Sequence, residues 1–437
     1  MRKTATIKWG AFSQKHAVYI AKAQNNLLNV AEGAIRSGKT IDNCIAAAIH
    51  LETCRDKYHL ASGSTLANAK LNIGVCNGYG LENLFRGRCH WGKYQDNSAL
   101  FIDTKTGEKI VIFVGGGKSD SYKKILGNSY GLWIATEINE HYDSDDSRTS
   151  FIRVAMGRQI AAKDPKILWD LNPVNPNHRI YKKYIDYYKK KRFLGGYQHQ
   201  TFNLSDNLTI TKRRRAIIES QYTRGSIWWR RDIEGQRCIA EGLVYPNYMK
   251  AVARPPEKDD AGRPIIPEEY CVAIDYGTQN PFAALLFAKY GRVWYSIREY
   301  YYNGREKGIQ KTDGQYLKDL NAWLADIELQ PGRKMEVIID PSAASFIAVL
   351  QQSGKYKVRR AINDVDDGIR ETADAIEKEL IKISPDCVNW VEEAGSYRWD
   401  PEEENDTVIK EDDHAQDACR YFVKTKNIIR KGARRAA

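Results

Sequence analysis

Apolar and polar positions along this chain are grouped in blocks, and several of the apolar blocks end on residues that can carry chemistry. Residues 26–33, "NLLNVAEG", form a short apolar run. Residues 40–52, "TIDNCIAAAIHLE", set Ile41, Cys44, Ile45 and Ile49 at helical spacing, so together the two stretches predict a strand, a turn and a helix. Further strand-like runs, "KIVIFVGGG" (109–117) and "GLWIATEI" (131–138), alternate with helical segments, as a parallel α/β sheet requires. A second alternation begins at "YCVAIDYG" (270–277), passes through the hairpin-like "FAALLFAKYGRVWYSIREYYY" (282–302) and reaches "MEVIIDPSAA" (335–344). Between them, "ARPPEKDDAGRPIIPEE" (253–269) holds four of the 13 prolines in a charged stretch and reads as a linker. The pattern predicts two α/β domains without internal repeats or low-complexity segments.

Composition narrows the class. A chain of 437 residues with 42% hydrophobic positions can build two or three ordinary cores. No apolar run approaches the ~20 residues that cross a bilayer, and the opening "MRKTATIKWG" lacks the apolar middle of a signal peptide. An intracellular protein without membrane contact is expected. The eight cysteines include no closely spaced pair, which argues against a zinc site or redox motif and for reduced, mostly buried thiols. The net charge of +12 is concentrated: from Tyr181 to Arg231 there are 13 Lys and Arg against three acids. "YKKYIDYYKKKRF" and "TKRRRAIIESQYTRGSIWWRR" mix these charges with aromatic residues, and "KTKNIIRKGARRAA" adds a basic tail. Any one run suits a solvated helix face, but together they favour a nucleic-acid backbone as partner, without base-specific recognition.

Candidate chemistry in the first half starts at "AEGAIRSGKT" (31–40). Gly33, Ala34, Ile35, Arg36, Ser37, Gly38, Lys39 and Thr40 complete a phosphate-binding loop between a predicted strand and a predicted helix. Its amides and Lys39 suit the phosphates of ATP, and the Thr40 hydroxyl suits Mg2+. An ATPase also needs an acid at the end of a second strand, and Glu137 in "GLWIATEINEH" is the candidate for orienting water. Thr136 stands where an aspartate is usual, so the magnesium contact must come from that hydroxyl, through water, or from elsewhere. Glu140 and Asp143 rank below Glu137. Arg36 is the candidate cation for charge developing on the transferred phosphoryl group, with Arg158 as a second. In "ILWDLNPVNPNH", Asn172 and Pro173 follow an apolar run, as a γ-phosphate sensor or as a plain turn.

The second half offers carboxylates. "CVAID" ends in Asp275, "EVIID" ends in Asp340, and on a helix "EDDHAQDACRY" places Asp413, His414 and Asp417 on one face, opposite Ala415, Ala418, Cys419 and Phe422. Two strand-end acids brought to a third on a helix can hold two divalent ions, magnesium or manganese, for phosphodiester cleavage.

In this order, "EGAIRSGKT", "GLWIATEINEH", "LNPVNPNH", "FNLSDNLTIT", "AIDYGTQNPFAAL" and "DDHAQDACRY" resemble the large subunit of tailed-bacteriophage terminases, most closely the PBSX type. The resemblance runs from about residue 10 to residue 425. It implies a P-loop (ASCE-type) ATPase domain followed by an RNase H-like nuclease domain. The expected boundaries are 1–180 for the ATPase core, 181–252 for a basic lid and linker region, 253–269 for the Pro-rich linker and 270–437 for the nuclease. The loop arginine falls on Arg36, the catalytic glutamate on Glu137, and the nuclease metal ligands on Asp275, Asp340 and Asp417, with His414 close by and Asp413 accessory. The coupling motif keeps only Asn172 and Pro173. The implied work is ATP-driven packaging of double-stranded DNA into a procapsid, with cutting of the concatemer. The implied partners are double-stranded DNA, a small terminase subunit, the portal and further copies in a ring, in the host bacterial cytoplasm and transiently at the portal. The competing readings are a helicase or repair ATPase with a nuclease domain, and a DNA-binding structural protein that does not hydrolyse ATP.

Overall fold

The strands of the first half hydrogen-bond into one sheet: β1 (Leu28–Gly33), β2 (Tyr58–Gly63), β3 (Cys89–Tyr94), β4 (Asn97–Thr104), β5 (Gly107–Gly115), β6 (Leu132–Ala135), β7 (Lys166–Leu171) and β8 (Tyr197–Phe202). The computed structural model describes residues 12–191, 194–259, 261–277, 280–401, 403 and 405–429. Arg192 of the basic segment, Thr278 and Gln279 of the "AIDYGTQNP" motif and residues 430–437 of the basic tail lie outside the described residues. The sheet order is β3-β4-β5-β2-β6-β7-β1-β8, parallel from β5 to β8 and antiparallel at the β3–β5 edge. Strand β1 is buried along its whole length between β7 and β8, as a central parallel strand covered on both faces must be. One extra strand, β7, separates the phosphate-loop strand β1 from the acid-ending strand β6, which fits the ASCE-type expectation. Trp133 of β6 and Trp169 of β7 meet edge to face, 5.3 Å apart, in the core beneath.

The helix Lys39–Thr53 forms where predicted, but its buried face is not the predicted stripe. Cys44 is buried, whereas Ile49 is exposed and Asp42, Asn43, Ala46, Ala47, His50 and Leu51 turn inward. Side chains of the helix Gln14–Ala23 explain the rotation, because His16 contacts Asp42 at 2.5 Å and the Tyr19 hydroxyl donates to Asn43 at 2.7 Å. Partnered polar groups can be buried where unpartnered ones cannot.

The second sheet comprises β9 (Glu269–Asp275), β10 (Phe282–Tyr290), β11 (Val293–Tyr302), β12 (Met335–Ile339), β13 (Tyr356–Arg360) and β14 (Ile381–Ile383). Its order is β13-β12-β9-β10-β11-β14; β9, β10 and β11 form an antiparallel meander, while β12 and β13 run parallel to β9. This is the RNase H-like arrangement. Pairing of Ile339 with Ile274 sets Asp340, just past β12, beside Asp275 at the end of β9. The helix His414–Lys426 buries Ala415, Ala418, Cys419 and Phe422 as predicted, with Phe422 stacked on Phe287 of β10 at 3.7 Å.

The compact division of the chain differs from the boundaries expected above. Residues up to Ser220 together with Arg224–Ile239 form one unit, and Gln221–Thr223 with residues from Ala240 onward form the other. Strand β8, inside the expected lid and linker region 181–252, is part of the first sheet. The Pro-rich segment 253–269 begins bonded within the second unit: the Ala253 amide donates to the Ile383 carbonyl at 2.9 Å, and Arg254 pairs with Asp386 at 2.6 Å. An edge strand with unpaired ladder groups captures a neighbouring segment in this way. Among the described residues no helix is long and apolar enough to cross a membrane. All eight cysteines are free thiols, six of them buried.

Candidate nucleotide and carboxylate sites

In the first unit, β1 delivers the chain into the phosphate loop. A side-chain carbon on Gly33 would lie 2.1 Å from the Phe202 carbonyl oxygen, so only glycine fits there. Gly38 takes φ 102° and caps the helix Lys39–Thr53 without a side-chain bond, which leaves the first helical amides for an anion. The loop backbone is fastened on its outer side. The Ala34 amide donates to Phe202 O (2.8 Å), the Ile35 amide to Asp232 O (3.1 Å), and the Asn207 side chain to Arg36 O (2.7 Å). Arg36 holds φ 55° and is exposed, while Ser37 is buried.

Lys39 is buried and bonds the Ala34 carbonyl at 3.0 Å and Asn172 Oδ1 at 2.7 Å. The residue expected at a strand end as sensor or turn therefore sits on the phosphate-loop lysine. Burial lowers the Lys39 pKa, opposed by the charges of Asp170, Asp232, Glu137 and Glu32. Glu137 follows β6, half-buried, with φ 52°. Its amide donates to Asp170 Oδ1 at 3.1 Å, and the Thr136 hydroxyl donates to the same oxygen at 3.1 Å. Asp170, on β7, was not singled out from the sequence. Burial raises its pKa to about 6, against the Lys39 charge, the Glu137 amide and the hydroxyls of Thr136 and Thr40.

Other candidates stand elsewhere. Asp143 serves the local fold, accepting from Ser150 and from the Tyr184 hydroxyl at 2.8 Å. Glu140 is exposed and accepts from Asn139 at 2.7 Å. Arg158 caps the helix Phe151–Gly157, and its carbonyl accepts from Tyr130, which precedes β6. That is the end of β6 opposite Glu137, because parallel strands deliver their functional residues at one end only, so the structure does not bring Arg158 to the phosphate loop.

In the second unit, Asp275, Asp340, Asp413, His414 and Asp417 line one cavity of about 570 Å³. Residues of one short stretch partner each of the three principal acids. His414 Nδ1 meets Asp275 Oδ2 at 2.9 Å, the Tyr421 hydroxyl donates to Asp340 Oδ2 at 3.1 Å, and Arg420 Nε donates to Asp417 Oδ1 at 3.0 Å. Burial raises the Asp275 pKa to about 6; His414 opposes the rise, and the charges of Asp417 and Asp340 add to it. Burial, then the charge of Asp417, also raises Asp413. Burial would lower His414, but its bond to Asp275 and the nearby acids leave it raised. Among the described residues no three such side chains are drawn together tightly enough to hold an ion as they stand. Mutually repelling carboxylates around one polar cavity nevertheless fit a divalent cation, which relieves that repulsion with oxygen ligands. Glu393 escaped the sequence reading: buried, it accepts from the Ala415 and Gln416 amides at 2.7 and 3.1 Å and fixes the start of the helix that carries the site.

A phosphate-loop sheet with an intervening strand, followed by an RNase H-like sheet with acids at its strand ends, defines an ATPase–nuclease class. No family model matches the chain, and no curated protein does. Solved structures do. The large terminase from a thermophilic bacteriophage, in one crystal form, is 30% identical with a TM-score of 0.76, over 95% of this chain and 99% of that one. The same phage protein in complex with ADP is 31% identical with a TM-score of 0.74, over 95% and 99%. Its complex with ATP-gamma-S is 30% identical with a TM-score of 0.72, over 94% and 98%. The chain belongs to the bacteriophage large terminase family.

Proposed function

We propose that the first unit hydrolyses ATP and the second cuts DNA, as the motor and nuclease of viral genome packaging. The observation that carries the reading is the meeting of Lys39 with Asn172 at 2.7 Å, in a site that Glu137 borders from the next strand. The loop amides and Lys39 bind the phosphates, Thr40 takes part in holding Mg2+, Glu137 orients the attacking water, and Arg36 offsets charge on the transferred group. Asn172, bonded to Lys39, reports whether the terminal phosphate is present. In the second unit, Asp275, Asp340 and Asp417, with Asp413 accessory, hold Mg2+ or Mn2+, two ions in this reading, which supply activation of water and stabilisation of the leaving oxygen. His414 steadies Asp275. Tyr421 and Arg420 orient the other two acids. The exposed Lys212, Arg213 and Arg214 suit the backbone of double-stranded DNA. A small terminase subunit, the portal and further copies in a ring complete the assembly in the bacterial cytoplasm.

Two sets of variants test this. Lys39→Ala abolishes ATP hydrolysis, and Glu137→Gln binds nucleotide without turnover. Asp275→Ala, Asp340→Ala or Asp417→Ala each loses Mg2+- or Mn2+-dependent cleavage of plasmid DNA and keeps ATPase activity. Normal cleavage by both the Asp275 and Asp340 variants would remove the nuclease assignment. Near-normal hydrolysis by Glu137→Gln would move the water-orienting role elsewhere.

A further inference from the structure

Strand β6 is followed by Thr136 and Glu137, without the acid that commonly precedes the glutamate, yet a carboxylate occupies the space beside them. It comes from the neighbouring strand. Pairing of Ala135 with Trp169 and of Ala31 with Asp170 sets Asp170 between the end of β6 and the strand that enters the phosphate loop. Strand side chains alternate, so Asp170 shares a face with Leu168, which packs with Cys44 and Ala47 of the helix Lys39–Thr53. Trp169 points to the other face, into the core with Trp133. Asp170 therefore lies on the side of the sheet from which Thr40 begins its helix.

We propose that Asp170 is the cation-holding carboxylate of the nucleotide site, transferred from β6 to β7, and that with Thr40 it binds the divalent ion accompanying the ATP phosphates, directly or through water. The geometry of its two oxygens carries the assignment. Oδ1 is occupied by the Thr136 hydroxyl and the Glu137 amide, both at 3.1 Å. Oδ2 is buried with no hydrogen-bond partner, in a residue that is 2% exposed. An unpartnered buried carboxylate oxygen is costly unless something positive meets it, and the ammonium of Lys39, whose charge opposes the burial of Asp170, is already bonded to Ala34 and Asn172. Thr40 lies close enough to this carboxylate to lower its pKa, without a hydrogen bond to Oδ2. A hard cation next to Thr40 would satisfy Oδ2 with an oxygen-ligand contact. On this view Thr136 is a positioning residue: it and the Glu137 amide orient the carboxylate, and the carboxylate in return holds Glu137 in its left-handed turn.

The inference rests on the ATPase reading above, and its test separates the two. Binding of a fluorescent ATP-gamma-S is measured in EDTA and in Mg2+, and Mn2+ affinity is measured by electron paramagnetic resonance as the binding that appears only when nucleotide is added, which separates it from Mn2+ held by the second unit. The proteins are wild type, Asp170→Asn and the double variant Thr136→Asp/Asp170→Asn. Asp170→Asn should bind the analogue normally in EDTA but lose at least about 10- to 100-fold in Mn2+ affinity, the range for losing a group that only supports a metal's ligands. The double variant, with an acid restored on β6, should regain much of it. Wild-type Mn2+ affinity in Asp170→Asn overturns the proposal. If the single variant binds poorly even in EDTA, the double variant decides: recovered Mn2+ affinity supports the assignment and continued loss overturns it. Failure of the wild type to bind nucleotide in either condition overturns the ATPase reading and this inference with it.

Discussion

Glu32 shows how a single residue is kept charged inside a sheet. It is fully buried in β1, yet Arg237 donates to both its oxygens at 2.7–3.0 Å, His199 meets it at 2.8 Å and the Tyr181 hydroxyl donates at 2.6 Å. Burial alone would raise its pKa; the bonds from His199 and Arg237 overcome this and hold it near about 2, from an ordinary 4.5. Its contribution to stability is therefore complete above pH 4.5 and is lost as pH falls from about 4.5 towards 2, because the unfolded chain takes up the proton first. Melting curves of wild type and Glu32→Gln should converge across that window, and a constant gap between them would count against the assignment. Arg237→Ala leaves Glu32 buried without its main partner and should cost about 3–5 kcal/mol in denaturant unfolding of the first unit, the usual penalty for breaking a buried pair.

At the scale of an element, the helix His414–Lys426 serves as a mount for the carboxylate site. Its first amides rest on Glu393, so Glu393→Ala should free the N-terminal turn, shift His414 and Asp417, and reduce DNA cleavage at least as much as His414→Ala does, with ATPase activity intact. A Glu393→Ala protein that cuts at the wild-type rate would show that the cap has no hold on the site. Much of this site was legible in sequence, because Asp275 and Asp340 end apolar runs and Asp417 follows Asp413 by one helical turn. Asp170 was not, since an acid one residue before the end of "ILWDL" looks like an interruption until strand pairing puts it beside Thr136. Glu393 was hidden for a related reason: its partners are backbone amides 22 and 23 residues on, and amides leave no mark in a residue pattern. Strand β8, "YQHQTF", carries too little apolar alternation to announce itself as an edge strand. The expected core boundary at residue 180 consequently fell short of it.

Across the whole molecule, the second unit begins earlier than its proline content suggests. Leu243 bridges to Arg398 and Val252 to Ile383, so residues 240–252 are stitched to elements more than 100 positions away. A fragment spanning 240–437 should melt cooperatively, and one spanning 270–437 should melt at a lower temperature; equal melting temperatures would return the boundary to the proline segment. The first unit carries a mechanical implication of its own. The phosphate loop is anchored to Phe202, Asn207 and Asp232, and the charged helix Lys212–Glu219 is strung between the last two of these anchor points. A displacement of the loop backbone therefore strains those three bonds or moves the segments that carry them, and the helix lies along the chain between two of those segments. Tension on the helix, conversely, is transmitted back to the place where the phosphate is held.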